Sequence, residues 1–408
     1  MYRFIFLCFA TCCLLACRSF EATPYDFPTQ VDTRTRPIEM QQKGVFAPEG
    51  AQVYADNQFD GARLNDFSQL EEGHFQATIL PENSPINPSP YYAFRLWADQ
   101  ARAIRLRLHY PESKHRYWPK ISHDGRTWQR LDSAAVLYPP DSVDLSLLLQ
   151  VGPDTLWVAA QEVTNSGHVR AWCESMAAHP DVSFFSVGQS VQGRDLFCLD
   201  VGHGPARGKE VVAILSRQHP PEVTGYLALQ AFLEEVLADH ALSRAFRAKY
   251  RLLVYPLMNP DGVDLGHWRH NAGGIDLNRD WAYYHQPETR QVANHLVRTS
   301  RSDRNQVILG LDFHSTYYDI YYTFDNSMVS SIHGFKDFWL MGIADAIPGY
   351  HPHDAPNVIA GPVSKNWFFT QFGAEGITYE IGDDTPRDFI REKGKKSARE
   401  MMQLLVLR

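Results

Sequence analysis

The feature that most narrows the choice of fold is a change of pattern near His179-Pro180. Before it, from about Ala51 to Ser175, short runs alternate apolar and polar residues, as in Tyr92-Ala93-Phe94-Arg95-Leu96 and Ala103-Ile104-Arg105-Leu106-Arg107-Leu108. A period of two turns one strand face inward and leaves the other in water. Turn clusters such as Ser122-His123-Asp124-Gly125 and Pro139-Pro140-Asp141 separate the runs, so the expected unit is a β-sandwich of antiparallel strands. After the change, apolar strands at 194–201, 210–216, 250–257, 306–313, 320–324 and 376–381 alternate with helical stretches at 222–238, 288–298, 335–346, 364–372 and 387–407. Such alternation predicts an α/β domain with a mixed, largely parallel central sheet and helices on both faces. Ligands of such sheets bind at the C-terminal edges of the strands.

The first residues carry a separate message. Arg3 precedes an apolar run from Phe4 to Ala16 and then Cys17. The run is too short to span a bilayer as a helix, which takes about 20 residues, and it suits a secretory signal. Leu14-Leu15-Ala16-Cys17 resembles the lipobox of bacterial lipoproteins, in which the cysteine becomes the lipidated first residue; an ordinary signal peptide that contains cysteines is the alternative. The lipobox implies an exported protein anchored to a membrane of the bacterial cell envelope through Cys17. The expected organisation is a signal at 1–16, a Pro- and Thr-rich tether at 17–49, the sandwich at 50–178 and the α/β domain at 179–408. Past the signal and Cys17 only Cys173 and Cys198 remain, either as a disulfide that export permits or as two buried thiols. A net charge of −8 excludes a broad basic surface, so no nucleic-acid partner is expected.

His-x-x-Glu occurs three times, as His109/Glu112, His219/Glu222 and His285/Glu288, and spacing cannot choose among them. Context can. His219/Glu222 lies between a strand ending at Ser216 and a long helix, at a C-terminal sheet edge. His109/Glu112 ends a sandwich strand and His285/Glu288 opens a helix beside Pro287, so both read as surface or capping residues. A catalytic zinc takes three protein ligands and keeps one position open. His314, at the end of the apolar strand Val307–Phe313, supplies the third beside His219 and Glu222. In Gly274-Ile275-Asp276-Leu277-Asn278-Arg279 the guanidinium of Arg279 offers a planar fork and Asn278 adds amide donors, which suits a free C-terminal carboxylate. Arg269 can supply positive charge where an oxyanion develops. Glu380 stands in an otherwise apolar strand; it is either a base with a raised pKa or the partner of an arginine.

Together Arg217-Gln218-His219-Pro220-Pro221-Glu222, Asn259-Pro260-Asp261-Gly262, Gly274 to Trp281, Asp312-Phe313-His314 and Thr378-Tyr379-Glu380 resemble the carboxypeptidase A-like zinc metallopeptidases. Within that family the chain resembles the cytosolic-carboxypeptidase-like branch, in which a β-sandwich precedes the catalytic domain; Pro90 to Arg95 and Gln189 to Arg194 look like that branch too. The resemblance implies one zinc ion on His219, Glu222 and His314, Glu380 as general base, Arg269 at the oxyanion, and Asn278 and Arg279 on the terminal carboxylate of a peptide substrate. It also places Lys365, 15 residues before Glu380, in the pocket for the substrate's last side chain, where an ammonium favours an acidic or diaminopimelate-like residue. The sequence departs from the branch at Pro221, where glycine is usual. It also has no tyrosine between Tyr350 and Tyr379 to close over the substrate. A zinc amidase or deacylase acting on small acylated amino acids, or a non-catalytic peptide- or glycan-binding lipoprotein, are the alternative functions on the same scaffold.

Overall fold

The computed structural model describes residues 20–84, 86–138 and 144–408; the signal and Cys17 lie outside the described residues. Among those residues the first half forms a six-stranded and a five-stranded sheet. Their pairs are antiparallel, apart from His74–Thr78 against Arg102–His109. The strand Leu145–Val151 runs beside Arg102–His109 with Leu145, Leu147 and Leu149 facing Leu108, Leu106 and Ile104. This is the buried face that the alternation predicts, while Arg105 on the opposite face is exposed.

The second half is built on an eight-stranded mixed sheet. Its centre is parallel: Tyr250–Tyr255, Glu210–Ser216, Val307–Thr316 and Glu375–Gly382 lie side by side in that order. These strands read as continuous apolar runs because helices cover both faces. The helices Val223–Leu237 and Arg387–Leu407 bury one face, and Pro287–Ser302 and Ser364–Phe372 the other. Cys173 belongs to the first of these cores and Cys198 to the second, so the sheet separates the two free thiols.

Three expectations need correction. The helix Ser166–Met176 falls on the sandwich side of the expected boundary, yet it buries Val169 and Cys173 in the α/β core. The stretch expected to be a tether is docked from residue 20 onward. It forms no strand before Val45 but is tied down by long-range bonds: Ala22 N to Asn294 Oδ1 (2.8 Å), Thr29 N to the Ala360 carbonyl (2.8 Å) and Arg36 N to the Gly273 carbonyl (2.8 Å). Glu288, expected at the surface or in a cap, is fully buried in the first turn of its helix, where it accepts from Asn271 Nδ2 at 3.0 Å.

The halves share more than a border. Trp268 of the second half is buried in the sandwich core. Arg116 pairs with Asp383 at 2.8 Å, and Arg387 with Glu162 at 2.8 Å.

Candidate active site

His219, Glu222, His314, Glu380, Arg269, Asn278, Arg279 and Lys365 all line one cleft of about 570 Å³ at the C-terminal edge of the central strands. Cys17 is the one expected site residue that lies outside the described residues. Local chain geometry explains the convergence. Ser216 ends its strand opposite Phe313 of the neighbour, and the next residue, Arg217, takes a left-handed backbone (φ 55°). That turn redirects the chain so that His219 and Glu222 lie beside the strand carrying His314. Arg217 is buried and braces the turn, its Nη2 donating to the Pro220 carbonyl at 2.7 Å. Pro221, at the position where glycine was expected, fits: its carbonyl accepts from Val223 N at 2.8 Å and the helix begins at Val223. That helix runs so close to the next strand that a Cβ on Gly225 would stand 2.4 Å from the His314 carbonyl oxygen. Glycine is required there by proximity, not by backbone angle.

The three candidate ligands offer donor atoms that all lie within 4.8 Å of one another. Glu222 takes His219 Nδ1 on one oxygen (2.7 Å) and His314 Nδ1 on the other (2.6 Å). The opposite ring nitrogens are each backed by a carboxylate: His219 Nε2 by Asp276 (2.9 Å) and His314 Nε2 by Asp312 (2.7 Å). Backing of this kind fixes the ring and raises its basicity, leaving Nδ1 as the coordinating atom. Burial alone would raise the Glu222 carboxyl, but the two histidines outweigh it and hold it well below the usual carboxylate range. Two imidazoles and a glutamate, ringed by further carboxylates, fit a divalent cation of the zinc type.

Around this cluster the remaining groups are ordered. Parallel register sets Glu380 directly opposite His314. Burial pushes its carboxyl up to about 8, against the pull of His314, and its Oε2 is enclosed without a hydrogen-bond partner. Arg269 reaches Asp276 through Nε and Nη2, both at 2.9 Å, and Glu222 at 3.9 Å. The chain at Arg269 is held from the sandwich side: Glu82, fully buried, accepts from the backbone N–H of Trp268 (2.8 Å), Arg269 (3.0 Å) and His270 (2.8 Å). Asn278 Oδ1 accepts from Ser364 N at 2.9 Å, while Arg279 donates through Nη1 to the Asn278 carbonyl at 2.8 Å and meets the carboxylate of Asp276 only at 4.0 Å. Lys365 is buried, not exposed on its helix. Its Nζ donates to the Thr323 carbonyl (2.8 Å) and Asn357 Oδ1 (2.6 Å), and burial pushes the ammonium down to about 7.

Sequence reasoning passed over Asp276 and Asp312, although both stand inside quoted motifs. The rule applied to Glu380, that a carboxylate in an apolar strand needs a partner, applies equally to Asp312. It also passed over Glu82, Asn87 and Arg116, contributed by the first half, of which Asn87 and Arg116 line the cleft. Among the described residues the tyrosines on the cleft wall are Tyr317 and Tyr322, which follow His314 in sequence.

Two histidines and one glutamate are the donor set of zinc peptidases, and the fold presents them at the sheet edge where such a site is expected. The chain belongs to the zinc carboxypeptidase family (Peptidase_M14), whose profile matches residues 169–395, more than half of its length. It is similar to an uncharacterized protein of Zymomonas mobilis (29% identity, covering 59% of this chain and 63% of that one). It is likewise similar to mouse cytosolic carboxypeptidase 6 (29% identity, 66% and 54%). The chain therefore spans less than two thirds of the length of these relatives. Among solved structures, a metallo-carboxypeptidase from Pseudomonas aeruginosa superposes with a TM-score of 0.72 over 87% of this chain and all of that one, at 21% identity. A metallo-carboxypeptidase from Burkholderia cenocepacia gives 0.71 over 87% and 99%, at 17%. At these identities the likeness speaks for the fold, and it extends through the sandwich.

Proposed function

We propose that the protein is a zinc-dependent carboxypeptidase that hydrolyses the last amide bond of a peptide. The observation that carries this reading is the convergence of eight candidate residues on one cleft, with both histidines turned so that Nδ1 faces Glu222. His219, Glu222 and His314 would hold the metal, and zinc bound there would polarise the scissile carbonyl and acidify a water. Arg279 grips the substrate's terminal carboxylate bidentately, with Asn278 beside it. That grip sets the last amide bond, rather than an internal one, against the metal cluster. Glu380 takes a proton from the attacking water and gives it to the departing amine. Arg269, held rigid by Asp276, faces the carbonyl oxygen as negative charge develops on it. Changing Glu380 to Gln should abolish turnover while zinc content stays at one per chain; undiminished turnover would remove Glu380 from its role.

Lys365 on the cleft wall supports a preference for an acidic or diaminopimelate-like terminal residue. When protonated it keeps one N–H beyond those bonded to Thr323 and Asn357. Lys365→Asp should shift the preference from acidic towards basic terminal residues across a library differing only at the last position, and an unmoved profile would reject the assignment. The apolar run Phe4 to Ala16 and the Leu-Leu-Ala-Cys17 segment support export and a lipid anchor in a bacterial envelope. Metabolic labelling with a fatty acid should mark the wild type and not Cys17→Ser.

A further inference from the structure

At the opposite edge of the central sheet from the cleft lies a group of charges that the proposed chemistry does not use. Arg298 and Arg301 stand near the end of the helix Pro287–Ser302, and Arg304 in the loop that follows. Gly208 N donates to the Asp303 carbonyl at 2.9 Å, which brings Arg207 beside that loop. All four arginines are exposed, and none makes an ion pair among the described residues. The acids between them are already matched, Asp303 by Arg251 at 2.8 Å and Glu210 by Arg408 at 2.7 Å. The adjoining residues 20–23 set only Glu21 against them. Arg301, in the last helical turn, offsets the helix dipole as a cation there does. Arg304 and Arg207 stand outside that helix and answer no such need. In a chain of net charge −8 this is an unbalanced positive face.

A pocket of about 260 Å³ opens in this face, with Arg301, Asn305 and Gln371 on its wall. Asn305 is only 4% exposed, yet neither its Oδ1 nor its Nδ2 has a hydrogen-bond partner. A buried amide open at both atoms is costly unless a group from outside completes it. Gln371 accepts from Thr23 N at 2.9 Å through Oε1, and its amide nitrogen donates to nothing among the described residues. A guanidinium and two amide N–H donors suit phosphate oxygens, while Asn305 Oδ1 suits a hydroxyl. Together they fit the anionic phosphodiester of a hydroxylated lipid headgroup.

Position favours a lipid over a free phosphate. The Arg301 guanidinium lies over the Phe20 ring, 5.7 Å from its centroid. Phe20 follows Cys17 by three residues, at most about 10 Å of extended chain. Resting on the acylated Cys17 proposed above, the anchor enters the bilayer beside this pocket. We infer that this face is a membrane-docking surface, with the headgroup of an anionic phospholipid seated on Arg301 and Asn305. Val307 lines the pocket and begins the strand that carries His314. The metal cluster therefore stands roughly 23 Å from the docked headgroup, seven residues of strand away.

The test is amide hydrogen exchange on the mature protein reconstituted into phosphatidylcholine vesicles with or without phosphatidylglycerol. With phosphatidylglycerol, the amides of residues 303–306 and 206–209 should exchange several-fold more slowly than without it. An arginine near an anionic surface is worth about fivefold in binding. Arg301→Gln with Arg304→Gln should therefore weaken docking about 25-fold and remove the protection, and added salt should weaken it too. Asn305→Ala leaves the charge unchanged and should weaken docking about tenfold, the scale of a hydrogen bond to a charged group. Equal exchange on both vesicles, or protection that the double arginine change leaves intact, overturns the surface. The same protection from soluble glycerol phosphate, with no gain on vesicles, would mark a free-phosphate site and equally overturn the membrane role. If mass spectrometry finds no acyl chain on Cys17, the protein is added to preformed vesicles instead. Arg301-dependent protection there keeps the surface and removes the anchor, whereas its absence overturns both.

Discussion

Asp276 holds two parts of the site at once, which makes Asp276→Asn an informative change. One oxygen backs His219 Nε2 at 2.9 Å and the other takes Nε and Nη2 of Arg269, also at 2.9 Å. Burial would raise this carboxyl, but Arg269, His219 and Arg279 together hold it well below the usual range, so wild-type Asp276 is ionised wherever the protein is folded near neutrality. Asparagine preserves shape and can still accept from His219, so the loss there is the difference between a charged and a neutral acceptor, about 1.4 kcal/mol. That is about tenfold in zinc affinity, at the lower end of the 10- to 100-fold range for partners that orient metal-binding histidines. Arg269 loses more. Left with Glu222 at 3.9 Å as its other carboxylate, it becomes a poorly paired buried cation, a change that costs about 3–5 kcal/mol of stability. Three measurements separate the effects: zinc competition against a chromogenic chelator, thermal unfolding, and kcat/KM at saturating zinc. Zinc should rescue occupancy but not rate, because Arg269 stays misplaced. Zinc affinity within twofold of wild type would refute the backing role, and full recovery of kcat/KM on adding zinc would refute the positioning of Arg269.

Four other outcomes are expected. Glu82→Gln offers one acceptor oxygen where three backbone N–H groups converge, so it should lower stability by about 2–3 kcal/mol and reduce kcat/KM by loosening Arg269, readable by chemical denaturation and kinetics. Glu288 titrates at about 7 because of its burial; the folded protein keeps that proton between about pH 4.5 and 7 while the unfolded chain has lost it, so this stabilisation is complete below about pH 4.5 and is lost as pH rises to 7. Glu288→Gln should remove up to about 3 kcal/mol of that pH dependence, measured by denaturation at pH 5 and pH 8. Gly225→Ala must push its helix away from the His314 carbonyl, and should lower both the unfolding temperature and zinc affinity. Since burial brings Lys365 down to about 7, any preference for an acidic last residue should fade as pH rises above that value, while KM for neutral termini stays flat.

Much of the site was legible because metal and substrate groups sit at strand ends, and strand ends are marked by where an apolar run stops. His314 after Phe313 and His219 after Ser216 were placed that way, and the observed register sets Glu380 against the first of them. The supporting carboxylates were harder to read. Asp276 beside Asn278 reads equally well as a local cap, and it does accept from Asn278 N at 2.8 Å; its bonds to His219 and Arg269 depend on tertiary structure. Glu82 is a single acidic residue in a loop, nearly two hundred positions from the chain it holds. The docking of residues 20–41 left no periodic trace, because it rests on isolated contacts such as Phe27, Thr33 and Gln41 and on backbone bonds to distant loops. The helix from Ser166 was missed in a stretch read as short strands, and its buried residues, Val169 and Cys173, give no sign of which core they enter.

The docked segment also sets a reach. A free chain of the 17–49 length would let the body of the protein wander by about 30 Å from its attachment point. Because Ala22 is already bonded to Asn294, only four residues lie between it and Cys17, a span of at most about 17 Å even when fully extended. With Cys17 acylated as proposed, the protein would ride against the bilayer rather than on a leash. The docked segment would then also be its mooring, and peptide ends presented close to the membrane surface would come within range of the cleft.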